Sequence, residues 1–461
     1  MKGLRAKHSR AVRWLHWLSF PLLVLMCWSG LMIYWANPVY RLGAGGFTLF
    51  RFFPDRFYAV LGLDHWLAKG MAIHFFVGWL FTLNGLAYVL YLAVSGEWHE
   101  LLPEKKSWRE AFDVLLHDLG LRRDLPPAGK FNAAQRIAYA GVVLMGAGSV
   151  ATGLAIYKPV QLSPLAGLLG GYERARLEHF WLMLGFAAFF VVHVAQVMRA
   201  GWNNFRSMVT GWELAGPPES RDPGAAPAMR RMTRRGFMTA GAAAAIGAAG
   251  WGWLLTRSEE RGTPWPLRKN LEANGKLWGA LFRCGHEAPA YPPVLGRARL
   301  NGDIGLDGAV DPRGWTLDVV DRDGRARSVA LRDVLTLPRT AATIEFRCIE
   351  GWSQVMSFAG VRFSEFMEHY GLRRARYVAL ETPKREYYVS IDMDSMLHPQ
   401  TLLVDEMNGA PLTPEHGAPL RLLIPVKYGI KHLKRIAAIR LSDERPPDYW
   451  AERGYDWYAG L

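Results

Sequence analysis

The sequence predicts a multi-domain membrane protein: an all-α bundle of four transmembrane helices, a fifth single transmembrane helix, and an α+β, strand-rich domain. Four apolar segments each supply the ~20 residues that a membrane-spanning helix needs. A fifth segment, rich in Ala and Gly, follows a pair of arginines, and beyond it Gly, Pro and Asp separate short apolar runs. The five apolar segments lie near residues 14–36, 71–94, 136–157, 177–199 and 237–255.

The distribution of Lys and Arg predicts the orientation of the spans. Eighteen of these residues lie before the first span, between the second and third, and after the fourth, whereas seven lie in the other two connections. We therefore expect a cytoplasmic N-terminus in a bacterial inner membrane, with the strand-rich domain carried into the periplasm by the fifth span. The net charge of +14 follows from this topology, and no basic patch on a soluble recognition fold indicates nucleic-acid binding.

The middle of the chain predicts a linker and an internal export signal. Residues 213–232 are rich in Pro, Gly and Ala, as in a flexible cytoplasmic linker. The stretch TRRGFM that follows resembles a twin-arginine signal, and no convincing small-residue cleavage site comes after it, so an uncleaved anchor is expected. The expected domains are a membrane domain over 1–212, a linker with anchor over 213–260 and the strand-rich domain over 261–461.

Short runs with strand character and a few helical stretches predict the mixed composition of the last domain. FSEFMEHYG is one of the helical stretches. The strand-like runs are GWTLDVVD, ATIEFRC, RYVALET, EYYVSIDM, TLLVDEM, LRLLIPV and IAAIRLS.

Four histidines lie in or at the ends of the predicted spans, where ionisable side chains are rare and often functional. His179 and His193 are 14 residues apart, so they point the same way and lie about 21 Å apart along one helix. His16 matches the cytoplasmic depth of His193, and His74 matches the periplasmic depth of His179. A single histidine could equally serve a helix–helix hydrogen bond, but two pairs at two depths suit two bis-histidine b-type haems. The other histidines are interpreted as interfacial, the first being a weaker competitor to His74: His65, His8, His99 and His117.

Three long segments carry a family resemblance: SRAVRWLHWLSFPLLVLMCWSGLMIYW, KFNAAQRIAYAGVVLMGAGSVATGL and ARLEHFWLMLGFAAFFVVHVAQVMRAGWNNFRSMVTG. Over roughly residues 8–212 the chain resembles the di-haem cytochrome b subunits of formate dehydrogenases and nickel–iron hydrogenases. The resemblance implies that His16 and His193 hold the cytoplasmic-side haem b and that His74 and His179 hold the periplasmic-side one. It also implies electron exchange with the quinone pool, although it does not locate the quinone site.

In the last domain, Cys348 ends a strand-like run and enters a Gly-Trp turn in EFRCIEGWSQ. The residues alone favour a buried core thiol, the commonest state of a free cysteine. The three cysteines form no C-x-x-C motif, so a zinc site or an attached c-type haem is not expected. The basic stretch EHGAPLRLLIPVKYGIKHLKR is either a solvated face or a set of turns that hold cations against a large anion. Its interleaved Gly, Pro and apolar residues favour the second interpretation.

Together, CIEGWS and MNGAPLTPEHGAPLRLLIPVKYGIKHLKRIAAI are similar to the metal-ligand segment and the pterin-binding signature of the sulfite-oxidase family of molybdenum enzymes. LHPQTLL and RLSDERPPDYW resemble its periplasmic methionine-sulfoxide reductase branch, and the likeness covers roughly residues 270–461. It implies that Cys348 is the catalytic thiolate bound to molybdenum. Cys284 and His286 match only loosely and are left unassigned, and the arginine set that binds sulfite has no clear counterpart. The residues implied to bind the molybdopterin are Thr382, His416, Arg421, His432, Leu433 and Lys434.

The two resemblances imply a molybdopterin-dependent oxidoreductase with two haem b groups, which exchanges electrons between the quinone pool and a small periplasmic substrate. We expect reduction of a sulfoxide-type substrate by oxygen-atom transfer. The alternatives are a sulfite-type oxidase that feeds quinone, and a cytochrome b electron carrier with a non-catalytic cofactor domain. We expect membrane lipid as a partner, and we do not expect nucleic acid. The oligomeric state stays open, and a homodimer is one expectation. The second resemblance also implies that molybdopterin is inserted in the cytoplasm, so the folded domain would need the twin-arginine route.

Overall fold

The computed structural model describes residues 4–42, 47–124, 131–214 and 234–461. Within them, four long apolar helices are each long enough to cross a membrane, and they coincide with the first four predicted spans: α1, α3, α6 and α8 in the following numbering. In chain order the helices are α1 Arg10–Tyr34, α2 Asp55–Val60, α3 Leu67–Ser95, α4 Trp98–Leu101, α5 Ser107–Asp118, α6 Ala133–Tyr157, α7 Ser163–Leu168, α8 Tyr172–Thr210, α9 Arg234–Leu255, α10 Trp265–Leu281, α11 Leu331–Val334, α12 Phe363–His369 and α13 Met393–Met396.

The predicted fifth span and linker have different outcomes. Helix α9 covers the Ala- and Gly-rich segment and starts at the first of the twin arginines. Its membrane placement stays a prediction. Most of the predicted linker, residues 215–232, lies outside the described residues, as does Thr233 of the signal motif.

Helix α8 is interrupted near its C-terminal end, a feature that the sequence pattern did not predict. At Gly201 the backbone has φ 77° and ψ 177°, a left-handed conformation that glycine adopts without steric cost. The break separates the apolar part of α8, which carries His179 and His193, from its last turns.

The chain divides into two compact units. The membrane helices contribute to both of them, because the ends of α1, α3, α6 and α8 nearest the predicted periplasm cluster with the strand-rich part of the chain. The first unit comprises residues 1–28, 77–153 and 177–256, and the second comprises residues 29–76, 154–176 and 257–461.

In the first unit, a polar side chain links two of the long helices. Asn84 on α3 donates to the Ser19 hydroxyl on α1 at 2.8 Å. Aromatic contacts complete the packing, such as the edge-to-face pair of Phe81 and Phe186, with ring centroids 6.3 Å apart. A buried amide that finds an oxygen partner avoids the cost of desolvation, so this bond favours one relative position of α1 and α3.

The second unit contains two five-stranded sheets, which confirm the strand-rich prediction. One sheet has the order β10-β9-β14-β5-β6, with a parallel pairing of β14 and β5; the other has the order β12-β11-β8-β7, with β13 paired to β11. The strands are β1 Leu4–Ala6, β2 Val39–Leu42, β3 Phe47–Arg51, β4 Trp212–Leu214, β5 Thr316–Val320, β6 Ala326–Ala330, β7 Arg339–Arg347, β8 Ser353–Arg362, β9 Tyr377–Glu381, β10 Tyr388–Asp392, β11 Leu402–Met407, β12 Ala410–Pro411, β13 Arg421–Leu423 and β14 Ala438–Ser442.

The sheets bury a shared apolar core that fixes the loops at their ends. Val319, Val361, Leu403 and Ile439 are fully buried in it, each from a different strand. Helix α12 covers the core with Phe363, which confirms the helical stretch predicted from sequence. The loops that adjoin this core therefore rest on a rigid support.

Candidate functional site

Cys348 comes directly after strand β7 and begins a tight turn, as its sequence predicts. Its backbone N–H donates to the carbonyl of Trp352 at 2.9 Å, and the N–H of Gly351 donates back to the Cys348 carbonyl at 3.0 Å. Gly351 has φ 93°, which favours glycine at this position. The side chain of Cys348 is 2% exposed, so the turn presents a buried thiol.

A cavity of about 330 Å³ lies in front of this thiol. Its walls come from the turn after β7 and from several other stretches of the chain that are distant from it in sequence. Five of the seven residues implied to bind the molybdenum cofactor line it: Cys348, His416, Arg421, His432 and Lys434.

The surroundings of Cys348 favour a neutral thiol until a metal arrives. Burial, and secondarily the Glu350 carboxylate, raise the pKa of the Cys348 thiol to about 12. The Asn301 amide donates to its sulfur at 3.4 Å. A bound metal cation would supply the positive charge that converts such a thiol to a thiolate. The site therefore fits a metal ligand better than a free nucleophile.

His416 and Arg421 bring polar atoms into the cavity that the described residues leave without hydrogen-bond partners. These atoms are His416 Nε2 and Arg421 Nε, both buried. The other ring nitrogen of His416 contacts the Thr413 hydroxyl at 2.9 Å, and Arg421 Nη1 donates to the His416 carbonyl at 3.1 Å. Buried donors are rarely left unpaired, so these two fit an anionic group such as a pterin phosphate.

The cationic character of this wall is weakened by burial. Burial lowers the pKa of Arg421 to about 10. The pKa of His416 is lowered by burial and then by the charges of Arg421 and Lys434. An anion placed beside Arg421, His416 and Lys434 would raise the pKa values of Arg421 and His416, because it stabilises their charged forms.

Lys434 is already saturated with hydrogen bonds. Its ammonium group donates to the carbonyls of Gly302 at 2.8 Å and Glu415 at 3.0 Å, and also to that of Asn301. Burial, followed by repulsion from Arg421, lowers its pKa to about 8. Lys434 therefore ties two cavity walls together and contributes its charge from a fixed position.

His432 also has both ring nitrogens in use. Nε2 lies 3.1 Å from the Lys427 carbonyl, and the Ile424 N–H donates to Nδ1 at 3.5 Å. Burial, and secondarily Arg421, lower its pKa to about 3, so the ring is neutral. Its ring packs edge-to-face on Phe346, with centroids 4.8 Å apart. His432 thus shapes the cavity wall through its ring.

Thr382 and Leu433 do not line the cavity. Thr382 closes the hairpin between β9 and β10, where its hydroxyl donates to the Tyr387 carbonyl at 3.1 Å and accepts from the Tyr387 N–H at 3.0 Å. Leu433 is fully buried, and its carbonyl accepts from the Leu422 N–H at 2.8 Å. Both residues lie next to cavity residues and hold the backbone that positions them.

Sequence reasoning missed several cavity residues, notably Asn301, Arg299 and Tyr387. Asn301 and Arg299 lie in the stretch ARLNGDIGLDG, which precedes strand β5. The high content of Gly, Asp and Asn in this stretch was the available signal of a functional loop. Arg299 stacks over the Trp352 ring at 4.5 Å. Cys284 is exposed and lies outside the cavity lining, in agreement with leaving it unassigned.

In the first unit, His16 on α1 and His193 on α8 face each other. Their ring centroids are 6.0 Å apart, with Trp17 edge-on to His16 and Phe189 stacked on His193. A metal–imidazole bond is about 2 Å long and the ring centre lies roughly 1 Å beyond the nitrogen, so two imidazoles on one iron have centres about 6 Å apart. The pair fits axial ligation of one haem iron.

His179 and His74 each contact a hydroxyl on a neighbouring helix. The Nδ1 of His179 lies 2.9 Å from the Thr152 hydroxyl, within the first unit. The Nδ1 of His74 lies 3.0 Å from the Ser29 hydroxyl, within the second unit. A hydrogen bond at Nδ1 fixes the ring orientation of an imidazole that binds metal through Nε2. Both histidines therefore fit haem ligands.

The remaining histidines lie outside the four long helices, as predicted. His65 is exposed in the connection before α3, where its ring packs on Trp35 with centroids 4.6 Å apart. His99 lies in the short helix α4 and His117 in α5, while His8 precedes α1.

Comparison with known proteins decides the family. Residues 7–211 match the model of prokaryotic cytochrome b561, and residues 304–450 match that of the oxidoreductase molybdopterin binding domain. The chain is 35% identical over 197 residues to a putative protein-methionine-sulfoxide reductase subunit YedZ1 of Azospira oryzae, which covers 42% of this chain and 92% of the relative. The chain is a fusion of a cytochrome b561 with a molybdopterin oxidoreductase domain.

Other similar proteins each match one part of the chain. A second YedZ1 subunit of Azospira oryzae is 32% identical over 192 residues, with 41% of this chain and 73% of the relative covered. The protein-methionine-sulfoxide reductase catalytic subunit MsrP of Xanthomonas campestris is 32% identical over 152 residues, or 30% of this chain. The chain spans 47% of that MsrP relative. Among solved structures, the sulfane dehydrogenase SoxCD of Paracoccus pantotrophus matches with 19% identity and a TM-score of 0.27, covering 30% of this chain and 40% of the other.

The fusion makes the chain a membrane-bound, molybdenum-dependent oxidoreductase with a cytochrome b part. Its family membership implies molybdopterin in the sheet domain and haem b in the helices. Both predicted resemblances are confirmed at this level.

Proposed function

We propose that this protein reduces a sulfoxide-type substrate, with methionine sulfoxide as the candidate, using electrons that quinol delivers through two b haems. One quinol releases two electrons and two protons. The sulfoxide takes up both and loses its oxygen as water, so the products are the sulfide and quinone. The MsrP relative, named for this activity, supports the choice of substrate.

The observation that carries the proposal is a cavity that unites a buried thiol with two buried nitrogen atoms that have no hydrogen-bond partner among the described residues. Cys348 lies in the same cavity as His416 and Arg421, whose Nε2 and Nε atoms have no partner among the described residues. A soft thiolate suits molybdenum, and a guanidinium suits a phosphate. This donor set fits a metal held at one place and an anionic organic group held at another.

Each residue has a distinct task in this proposal. When bound, the molybdopterin supplies oxygen-atom transfer and haem b supplies one-electron transfer. Cys348 would hold the metal, while Arg421 and His416 would hold the pterin and its phosphate. Lys434 fixes the walls through its three carbonyl bonds and adds a positive charge. His432, Leu433 and Thr382 hold the surrounding backbone.

The charge near Cys348 favours a neutral substrate. Besides the groups assigned to the cofactor, the ionisable side chains of the cavity lining include one arginine, Arg299, and two carboxylates, Asp303 and Glu350. Two carboxylates against one guanidinium would repel a doubly charged anion such as sulfite and would accept a neutral sulfoxide. This supports reduction over the sulfite-oxidase alternative.

The haem ligands are proposed from the two histidine arrangements. His16 and His193 would hold one haem b, because their ring centroids are 6.0 Å apart. His74 and His179 would hold the other, each oriented by a hydroxyl at Nδ1. Electrons from quinol would pass through both haems to the sheet domain.

We also propose that the protein lies in the bacterial inner membrane with the sheet domain in the periplasm. Helix α9 has 22 residues, or about 33 Å of helix, which is long enough for a fifth span. In this proposal the domains cover 1–212, 213–260 and 261–461, and the twin-arginine segment exports the folded third domain. Protease added to intact spheroplasts should then cleave the sheet domain; complete protection would contradict the placement.

An optical experiment on purified membranes tests the function. The haems are reduced with a quinol analogue without oxygen, and methionine sulfoxide is then added. We expect reoxidation of the b-type absorption bands, and none in a Cys348→Ser variant. If sulfite instead reduces the haems of oxidised membranes, the protein is an oxidase. If neither substrate has an effect, the carrier alternative with a non-catalytic domain gains support.

A further inference from the structure

The turn that carries Cys348 is held by residues at the ends of two membrane helices. Residues 348–353, here named the Cys348 turn, belong to the second unit together with residues 29–76 and 154–176. The side-chain amide of Asn37, three residues after the end of α1, donates to the Gly351 carbonyl at 3.0 Å. Gly351 in turn donates to the Cys348 carbonyl. One hydrogen bond therefore separates the end of α1 from the turn of the molybdenum ligand.

Arg176, in the first turns of α8, holds Asn37 in place. Its Nη2 donates to the Asn37 carbonyl at 2.9 Å, and its Nη1 pairs with Glu173 at 2.9 Å. The Tyr34 hydroxyl donates to the Arg176 carbonyl at 2.8 Å. Arg176 is 4% exposed, so these bonds lie in a low-dielectric setting where they are strong and specific.

A second contact holds the far end of the Cys348 turn. The Ser353 hydroxyl lies 2.9 Å from Glu173 on α8 and 2.7 Å from Glu345 on β7. The Arg347 guanidinium, paired with Glu345, lies over the Tyr172 ring at 5.5 Å. Both ends of the turn are thus fixed to the helix ends, and this leaves little freedom for the turn to move separately.

The same stretch of chain contacts a candidate haem ligand. Ser29, eight residues before Asn37, places its hydroxyl 3.0 Å from His74 Nδ1. Residues 29–34 are the last residues of α1. A single segment, residues 29–37, therefore contacts the candidate iron ligand at one end and the Cys348 turn at the other, all within the second unit.

We propose that residues 29–37 form the structural link between the haem at His74 and the molybdenum site, with Asn37 as a positioning residue that holds the Cys348 turn at a fixed place for direct electron transfer. The inference rests on the proposed function. Two single electrons leave the haem for each sulfoxide reduced, and the two protons from quinol complete the water. Because orientation is set by the fold, no diffusing carrier is required between the two cofactors.

The test uses the full-length protein in membranes and the variants Asn37→Ala and Asn37→Asp. Neither side chain can donate to the Gly351 carbonyl, and both keep the backbone carbonyl that Arg176 binds. The matched control is Gln161→Ala, which removes another helix-end bond to the C-terminal part of the chain, from Gln161 Nε2 to the Trp278 carbonyl at 2.9 Å. That bond is remote in sequence from the Cys348 turn.

Two readouts separate positioning from damage to either cofactor site. With methionine sulfoxide, haem reoxidation should slow by about tenfold to a hundredfold in the Asn37 variants. Substrate reduction driven by a soluble viologen dye should slow by a smaller factor, because the dye does not depend on the position of the turn relative to the haem. Hydrogen exchange of the amides in residues 348–353 should rise by about fivefold, the loss of one hydrogen bond. The control should change neither quantity.

The failure of this inference differs from failure of the proposed function. Unchanged haem reoxidation and unchanged exchange in both Asn37 variants would overturn the link. An equal loss of dye-driven and haem-driven activity would also overturn it, because the change would then act at the molybdenum site. If the unaltered protein does not reduce methionine sulfoxide with dye, the proposed function fails, and the exchange measurement still decides whether Asn37 holds the turn.

Discussion

The membrane helices and the sheet domain bury their polar side chains in different ways. In the helices, the Nδ1 of the buried His179 imidazole contacts the Thr152 hydroxyl on a neighbouring helix. In the sheet domain, buried cations collect several backbone carbonyls, as Lys434 does with three and Arg435 with four. Groups whose hydrogen bonds are already made within the protein hold the walls of the site in place. Groups with capacity left, such as Arg421 and His416, are the candidates for contact with the cofactor.

Replacing Cys348 by Ser should have the largest effect on turnover, since it removes the soft sulfur donor from the cavity of the sheet domain. We expect turnover to fall by more than roughly a hundredfold, because changes merely behind a metal ligand cost 10–100-fold. The b-type spectrum should stay intact. Steady-state sulfoxide reduction with a dye donor measures the loss.

The matched control for that substitution is Cys284→Ser, since Cys284 is exposed and outside the cavity lining. It should keep full turnover. A Cys348→Ser protein with near-normal activity would remove the metal-ligand assignment.

Replacing His179 by Ala tests the helical side of the comparison. One of the two b haems should be lost, together with quinol-driven reduction, while molybdenum content and dye-driven activity persist. Pyridine haemochrome and metal analysis give both quantities. His65→Ala, at an exposed imidazole, should leave both haems in place. Quinol-driven activity that survives in the His179 variant would exclude the proposed electron path.

Arg421→Gln and Arg435→Gln compare an arginine whose Nε has no partner with one that donates to four carbonyls. Loss of a charge-assisted bond should weaken molybdopterin retention by roughly 10–100-fold in the Arg421 variant. The Arg435 variant should lower the thermal unfolding temperature instead, because four carbonyls lose their donor. Cofactor content after dialysis and calorimetry separate the two outcomes. Equal effects of both substitutions on retention would contradict the distinction.

The pH dependence of cofactor retention tests the charge of Lys434. Its pKa is lowered to about 8 by burial and by Arg421 in the cofactor-free protein, and a bound anion raises the pKa of a neighbouring ammonium. Retention should therefore be constant below pH 8 and weaken above it, by less than about tenfold per pH unit, until the pKa of the bound state is passed. Lys434→Met should bind more weakly at every pH and lose this step. A step that persists in the variant would assign the titration to another group.

Thr152→Val should produce the smallest effect. It removes the hydroxyl beside His179 and preserves shape, so haem dissociation should speed up by about fivefold. Transfer of haem to apomyoglobin measures the rate. Thr82→Val is the control, because the Thr82 hydroxyl bonds to the Gly78 carbonyl of its own helix. Equal haem loss in both variants would mean that the hydroxyl does not orient the imidazole.

The sequence was sufficient for features with short-range patterns. The four apolar spans, the 14-residue spacing of His179 and His193, and the strand-turn position of Cys348 all depend on neighbouring residues. The family resemblances added the cationic cluster, and the structure brings His416, Arg421 and Lys434 to the cavity.

The sequence was insufficient where the outcome depends on distant segments. Asn301 is 47 positions from the thiol to which it donates, and the three carbonyls of Lys434 come from two separate loops. No local pattern indicates that the Thr382 hydroxyl forms hydrogen bonds with the Tyr387 backbone in a hairpin. The break in helix α8 at Gly201 could not be predicted either, because an isolated glycine is common inside a membrane helix.

The segment between Ser29 and Asn37 has a consequence for insertions and deletions. Each residue added to a helix turns everything after it by about 100° and moves it by about 1.5 Å. One extra residue between these positions would turn Asn37 away from the Gly351 carbonyl while Ser29 stayed beside His74. Point substitutions at its other positions preserve this register. The length of this segment should therefore be under stronger selection than the identity of most of its residues.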